Sequence, residues 1–374
     1  MRRVEVLDLF AGAGGASWGF HEVTDHVLGL ELNTDAVATQ EYAGMECYQT
    51  DIAATNAAAF QKLHGSAHLH LHASPPCTTF SAAGKGHGRN SVEVLGAAAY
   101  DILTHGFTDV DLDGIDATTR LVLEPARWIE AIRPDSISFE QVRAVLPVWE
   151  AYALGLEGIG YHVWTGLLHA EQYGVPQTRT RAWLMASRER EVGPPAPTHS
   201  RYHVRNPQHL DEDVRPWVSM AEALFCGNAD LVGFPRRADS DASIELDGVD
   251  YRARDFRSGY QPAFALTEKA RSWTHYAPAG VSQKSHPAKP RRLDEAPAPT
   301  VTSQANHYLF NPEVDTFGEN LDRGSARKIT IAEASVLQGF PADYPWQGSK
   351  TSQFKQCGNA VPPPMAKAVL GSLL

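Results

Sequence analysis

The chain has few cysteines. Among 374 residues there are four, Cys47, Cys77, Cys226 and Cys357, far apart and with no C-x-x-C pair. That excludes a disulfide framework and a zinc ribbon, and it leaves any special cysteine to act as a thiol in a reducing compartment. No apolar run reaches the roughly 18–20 residues of a membrane helix. Glu5 and Asp8 stand where a signal peptide would continue its apolar stretch, so the expectation is a cytoplasmic protein with no membrane partner. Internal repeats and long low-complexity tracts are missing too. Positive charge is also scarce: 33 Lys and Arg against 44 Asp and Glu give −11. The deficit is uneven. Residues 187–292 hold 16 basic against 14 acidic residues, and the remainder 17 against 30. Phosphate contacts need local basic surface rather than a basic chain, so the charge neither excludes nor demonstrates a nucleic-acid partner. With 43% apolar and 21% charged residues the composition is that of a chain with a real core, and the length suits two domains or one with an insertion.

The first 75 residues alternate strands and helices. Val4 to Phe10 is a β-rich run that enters the turn Ala11-Gly12-Ala13-Gly14-Gly15, with a helix from about Ser17 to Val23. Strands follow at 26–30, 46–48 and 68–73, with helices at 35–42 and 53–63 between them. Later strands are expected at 136–139, 161–168 and 182–186, and helices at 330–338 and 363–373. This is the pattern of a doubly wound, mostly parallel α/β sheet, whose ligands sit beyond the carboxyl ends of the strands. After Ser187 proline clusters and scattered arginines replace the periodicity, which reads as a second, smaller, loop-rich domain.

Several residues at the sheet's ligand edge could carry chemistry. The glycine turn lets a nucleotide-like ligand approach the backbone, although Ser17 takes the third glycine position of the dinucleotide fingerprint. Glu31, at the end of the second strand, is placed to bind both hydroxyls of a ribose. Asp51, at the end of the third, can accept from an adenine amino group. Ser74-Pro75-Pro76-Cys77 follows the fourth strand and offers a thiol, either a nucleophile or a half-buried structural cysteine. Beyond it, Gly84, Gly86 and Gly88 make a basic loop suited to closing over a substrate. Glu140 stands at another strand end, and Arg179 and Arg181 are spaced to point the same way from an extended backbone. His68, His70 and His72 share one strand face and read as structural, so no metal is expected. Trp217, Trp273, Tyr251 and Tyr276 suit either base stacking or a small core. A nicotinamide oxidoreductase is the competing reading of the glycine turn, and it leaves Cys77 without a role.

In order, spacing and wording, these segments resemble the DNA (cytosine-5)-methyltransferases across nearly the whole chain outside about 190–290. The matching stretches include 8–15, Glu31, Asp51, 74–77, 121–127, 133–142, 173–181, 291–302, 338–341 and 358–362. The resemblance implies a Rossmann-like, S-adenosylmethionine-dependent methyltransferase domain of residues 1–187 and 325–374, interrupted by a target-recognition domain at 188–324. It implies methyl transfer to C5 of a flipped-out cytosine through a covalent bond from Cys77 to C6, with Glu140, Arg179 and Arg181 assisting. It places Phe10, Ala11, Gly12, Gly14, Gly15, Glu31, Leu32, Asp51, Ile52, Pro76, Leu121 and Asn359 around the cofactor. Ser81 and Gln177 fall to double-stranded DNA, and in the region where the match lapses and the charge turns positive, Arg252, Arg254 and Arg257 are the residues expected to contact it. A monomer working on the nucleoid is implied, as part of a restriction–modification system or as an orphan or phage enzyme. An RNA-modifying branch of the same architecture is the nearest alternative. Two departures stand out. Gln141 occupies a position where the family usually has Asn, and the stretch from Ser81 to Arg120 is long.

Overall fold

A computed structural model of the chain describes residues 3–63, 67–76, 80, 91–203, 205–206, 208–224 and 326–374, and within the middle region 231–233, 243–246, 249–252, 256–258, 261–266, 274–276 and 282–283. Cys77, Ser81, Arg254 and Trp273 lie outside the described residues.

The elements run β1 (Val4–Leu9), α1 (Gly15–Phe20), β2 (Val27–Glu31), α2 (Thr34–Tyr42), β3 (Glu46–Gln49), β4 (His68–Ala73), α3 (Val92–His105), α4 (Ala117–Arg120), α5 (Glu124–Ile132), β5 (Ser136–Val142), α6 (Leu146–Gly158), β6 (His162–His169), β7 (Gln177–Thr178) and β8 (Thr180–Ser187). A seven-stranded sheet takes the order β3-β2-β1-β4-β5-β8-β6. The pairs from β3 through to β5 are parallel, and β8 runs antiparallel to both its neighbours. The expected doubly wound sheet is therefore present, with one reversed strand. The reversal brings the start of β8 to the same edge as the carboxyl ends of the others.

Alternation along the strands feeds two cores. Leu7, Leu9, Leu69, Leu71, Ile137, Phe139 and Leu184 face one side, against α3, α5 and α6. Val6, Trp183 and Met185 face the other, together with Phe20 of α1. Within the long stretch between Ser81 and Arg120, residues Val92–His105 form α3. Glycine and alanine at Gly96, Ala98 and Ala99 let α3 approach α6 closely, and Gly106 ends the helix at φ 79°, its N–H donating to the Ile102 carbonyl.

The histidines of β4 lie on the second face, buried beneath Phe20. Ser136 and Ser138 of β5 interleave with them. His68 Nε2 and His70 Nδ1 each lie 2.8 Å from Ser136 Oγ, and His70 Nε2 and His72 Nδ1 lie 2.9 and 2.8 Å from Ser138 Oγ. Burial drives the pKa of His70 well below its ordinary value and that of His72 down to about 3. Both stay neutral in the folded chain, whereas the unfolded chain protonates them below about pH 6.5. Acidification from there towards pH 4 therefore favours unfolding. Asp8, pushed up to about 7 by burial, opposes this, because it is protonated in the fold over much of that window and ionised in the unfolded chain. Within this buried group, two histidines against one carboxyl contribute a net uptake of about one proton on unfolding, a loss of about 1.4 kcal/mol per pH unit, and His169, lowered to about 4 by burial, adds to it in the same direction. Urea unfolding at pH 7, 6 and 5 should show that decline, and His72→Asn should flatten it. An unchanged slope in the variant would contradict this account.

Beyond Ser187 the middle region holds α7 (Met220–Leu224) and short strands: β9 (Leu231–Gly233), β10 (Ser243–Leu246), β11 (Val249–Arg252), β12 (Phe256–Ser258), β13 (Ala263–Phe264), β14 (Thr274–Tyr276) and β15 (Ser282–Gln283). They form one sheet of β11-β10-β15 and another of β12-β9-β14 with β16 (Ala326–Lys328). β16 pairs antiparallel with β14, so Ala326–Lys328 adds a strand to this sheet just before α8. Trp217 is buried edge-on against Tyr202 and serves packing rather than stacking on bases. α8 (Ile331–Gln338) then starts in a capping box between Thr330 and Glu333, and α9 (Lys350–Asn359) and α10 (Pro363–Leu373) follow. α10 lays Met365, Ala366, Val369, Leu370 and Leu373 onto Phe20, Val27 and Trp183, closing the second face of the sheet.

Candidate active site

The glycine turn is fixed from several directions. Phe10, at φ 58°, and Gly12, at φ 56°, are both left-handed, a rare conformation for a phenylalanine that the surroundings must impose. Ala11 N–H donates to the Leu30 carbonyl, and Gly12 N–H to Glu31 Oε2 at 2.9 Å. Gln40 of α2 donates to the Gly12 carbonyl, and the Tyr344 hydroxyl to the Ala13 carbonyl. Neither Gln40 nor Tyr344 could be singled out from the sequence. They act on backbone carbonyls 28 and 331 residues away, which no local pattern encodes.

Glu31 ends β2, and its other oxygen accepts from the Leu32 and Asn33 N–H groups at 2.9 and 2.7 Å. Leu32 is 61% exposed beside it. Asp51 follows β3 and accepts from Ala53 N–H. Ile52 is buried, and its carbonyl is held by Arg127, which also pairs with Glu124 at 2.8 Å. Pro76 and Leu121 are partly buried, and Asn359 is exposed at the end of α9. Gly15 lies against the Val361 backbone, next to that end.

Across the same edge, Glu140 of β5 and Arg181 of β8 form an ion pair, Arg181 Nε to Glu140 Oε1 at 3.0 Å, with both side chains largely buried. Burial raises the Glu140 pKa, and Arg181 and Arg179 offset part of that rise. Gln141 turns its amide onto the loop after β4, donating to the Pro75 carbonyl, while its oxygen accepts from Val142 N–H. The loop that carries Cys77 two residues further on is thereby tied to β5.

Two expectations need correction. Arg179 does not extend beside Arg181 towards the edge. It is buried in the break between β7 and β8, where its guanidinium donates to the carbonyls of Leu266, Gly358 and Ala360 at 2.9–3.1 Å. Gln177 faces no solvent. Its amide donates to the Leu337 carbonyl and to Gln338 Oε1, and its oxygen accepts from Leu266 N–H. Both residues join the middle region and the C-terminal segment to the sheet. The local pattern suggested i, i+2 surface residues, but the segments they bind are distant in sequence. Arg252 and Arg257 stand on strands of two different sheets, β11 and β12.

Of the cysteines among the described residues, neither suits nucleophilic work. Cys47 is pushed up to about 12 by burial and by Asp8 and Glu31, and burial raises Cys357 further.

Residues 4–374 match the C-5 cytosine-specific DNA methylases. The Type II methyltransferase M.AplI of Arthrospira platensis is 28% identical over 98% of this chain and 85% of its own. The Type II methylase M.HgiDII of Herpetosiphon aurantiacus is 27% identical over 68% of each. Among solved structures, the Entamoeba histolytica methyltransferase EhMeth superposes with a TM-score of 0.55 over 100% of this chain and 98% of that one, at 13% identity. The S. pombe Dnmt2 methyltransferase does so at 0.55 and 16%, also over 100% and 98%. The likeness to these two is one of fold. A match spanning all but the first three residues identifies the chain as a member of the C-5 cytosine-specific DNA methylase family and hence as a DNA cytosine-5 methyltransferase.

Proposed function

We propose that this chain transfers a methyl group from S-adenosylmethionine to C5 of a cytosine rotated out of a specific site in double-stranded DNA, with Cys77 adding transiently to C6. The observation that carries the reading is the buried Glu140–Arg181 pair at the same sheet edge as the glycine turn and Glu31, with Gln141 tying the Cys77 loop to β5. The catalytic unit would comprise 1–187 and the segment from Ile329 onward, with the region between them choosing the sequence.

The residues present fit the cofactor. A Cβ built on Gly12 would meet nothing within 4 Å, so the turn offers open backbone. Of about four lone-pair sites the Glu31 carboxylate uses three on backbone N–H groups and keeps one, on Oε2, for a ribose hydroxyl, and exposed Leu32 supplies an apolar face for a purine. S-adenosylmethionine contributes a methyl group bound to a positive sulfur, ready for nucleophilic attack.

The protein must make a poor nucleophile, the aromatic C5, reactive. Enzymes that act on paired bases, DNA methyltransferases among them, first rotate the base out of the stack, at a cost of a few kcal/mol. The Cys77 thiolate adds to C6, and the electron pair of the C5–C6 double bond becomes available at C5. Negative charge spreads to N3 and O2 as this happens. Glu140, whose raised pKa favours a proton, offsets it at N3, and Arg181 at O2. After methylation C5 gives up its proton to a base and the C6–sulfur bond breaks, returning the thiolate. Arg179 acts here as a positioning residue.

The Type II names of the relatives favour a modification enzyme of a restriction–modification system. Incubation with methyl-labelled cofactor and mixed-sequence duplex DNA, then digestion to nucleosides, should place the label in 5-methyldeoxycytidine. Label in N4-methyldeoxycytidine or N6-methyldeoxyadenosine, or label in RNA and none in DNA when the two are offered together, would overturn the proposal.

Glu31→Ala and Asp51→Ala should both weaken cofactor binding in calorimetric titration, Asp51→Ala by about 1–3 kcal/mol for the loss of a hydrogen bond. Glu31→Ala should cost more, because it also releases the Gly12, Leu32 and Asn33 amides. Wild-type affinity in both variants would refute the pocket.

A further inference from the structure

The middle region opens with a loop closed at its base. His199 bridges to Arg215, and Ser200 N–H donates to the Arg215 carbonyl, so residues 199–215 leave and return at one point. Two successive turns inside it, Asn206 N–H to the His203 carbonyl and His209 N–H to the Asn206 carbonyl, bring His203 and His209 together. Their ring centroids are 4.5 Å apart. Asp211 faces both. Its Oδ1 lies 2.8 Å from His203 Nε2 and 3.9 Å from His209 Nε2. The three donor atoms all fall within 4.8 Å of one another.

We propose that His203, His209 and Asp211 form a binding site for one divalent transition-metal ion of the zinc class. Two donors on a tetrahedral ion stand about 3.3 Å apart at zinc–ligand distances of 2.0–2.1 Å. The observed separations bracket that value, and His209, whose side chain is 55% exposed, can rotate to close the widest gap. The carboxylate is already oriented: Arg201 N–H donates to Asp211 Oδ2 at 2.8 Å, and Asp211 N–H donates to Ser200 Oγ at 2.9 Å. That leaves Oδ1 facing the imidazoles, the supporting arrangement metal-binding carboxylates need. Two imidazoles and one carboxylate select zinc, cobalt or nickel over magnesium or calcium, which prefer all-oxygen sets. The fourth position opens to solvent. A bound ion would cross-link the loop from which the chain enters the region held to choose the DNA sequence, while leaving the Glu140–Arg181 edge untouched.

The competing account is an ion pair of His203 with Asp211 and no metal. Calorimetric titration of the chelator-treated, desalted full chain with zinc sulfate at pH 7.5 separates the two, and titration with cobalt chloride reads the geometry. The proposal expects one saturable zinc site per chain and visible cobalt bands of tetrahedral intensity. It also expects affinity to fall about tenfold or more in His203→Ala and in Asp211→Asn, with magnesium chloride giving no such site. The exposure of these side chains allows both variants to fold, and circular dichroism matching the wild type checks it. No saturable zinc binding, or binding unchanged in both variants, overturns the proposal.

Discussion

Replacing Cys77 by serine should leave a protein that binds S-adenosylmethionine with unchanged affinity and transfers no detectable methyl group. On the proposed mechanism the two properties separate, because the residues proposed for the cofactor, Gly12, Glu31 and Asp51, sit on other strand ends, while the thiol would act on the pyrimidine. Serine keeps the shape of the side chain, yet its hydroxyl is far too weak an acid to supply an oxyanion near neutral pH, so C6 is never attacked. A loss of several orders of magnitude in turnover follows, with no change in the calorimetric binding isotherm. Duplex DNA carrying 5-fluorocytosine at the target gives the sharper test. After methyl transfer fluorine cannot leave C5 as a proton does, so the wild-type chain should remain covalently attached and shift on a denaturing gel. Cys77→Ser should show no shift. A shifted band in that variant would move the nucleophile elsewhere. Cys47 and Cys357 are disfavoured as the alternative, because burial raises the pKa of both thiols.

How far these residues could be read without the fold depends on how local their partners are. Strands β1 to β5 and the terminal helix α10 were legible because alternation and periodicity are local, and for the same reason so was the placing of Glu31 at the end of β2 and of Asp51 just past β3. α3 was missed, since Gly96 and the three alanines after it blur its periodicity, and its meaning lies in the closeness of α6. Gln177 and Arg179 were visible as chemistry and misread as to place. A buried arginine that holds three carbonyls from two remote segments has the same local sequence as one that reaches a ligand. Gln141 shows the reverse. Its departure from the family's usual Asn marked it out in the sequence, but only the structure shows its amide on the Pro75 carbonyl.

Deleting residues 330–374 should abolish cofactor binding altogether, rather than merely relax the choice of DNA sequence. The segment closes the core on the second face of the sheet. α10 fully buries Met365, Val369, Leu370 and Leu373, and at about 1.5–3 kcal/mol for each large apolar side chain their loss removes on the order of 6–12 kcal/mol. That is comparable to the whole stability of a typical domain, about 5–15 kcal/mol. The deletion also takes away Tyr344, which holds the Ala13 carbonyl of the glycine turn. Since a truncated chain that fails to fold would say little about position, a point substitution in the intact chain localises the effect. A Cβ placed on Gly19 would stand 2.2 Å from the Pro363 carbonyl oxygen and 3.0 Å from Ala366 Cβ, and one on Gly15 would stand 2.3 Å from the Val361 carbonyl oxygen. Backbone atoms cannot swing aside as a side chain can, so α10 must move off α1. Gly19→Ala should therefore cost about 1–3 kcal/mol in urea unfolding, and it should weaken S-adenosylmethionine binding because the glycine turn leads directly into α1. A truncated chain that binds the cofactor normally, or a Gly19→Ala variant with wild-type stability, would mean that the C-terminal segment does not close the cofactor domain.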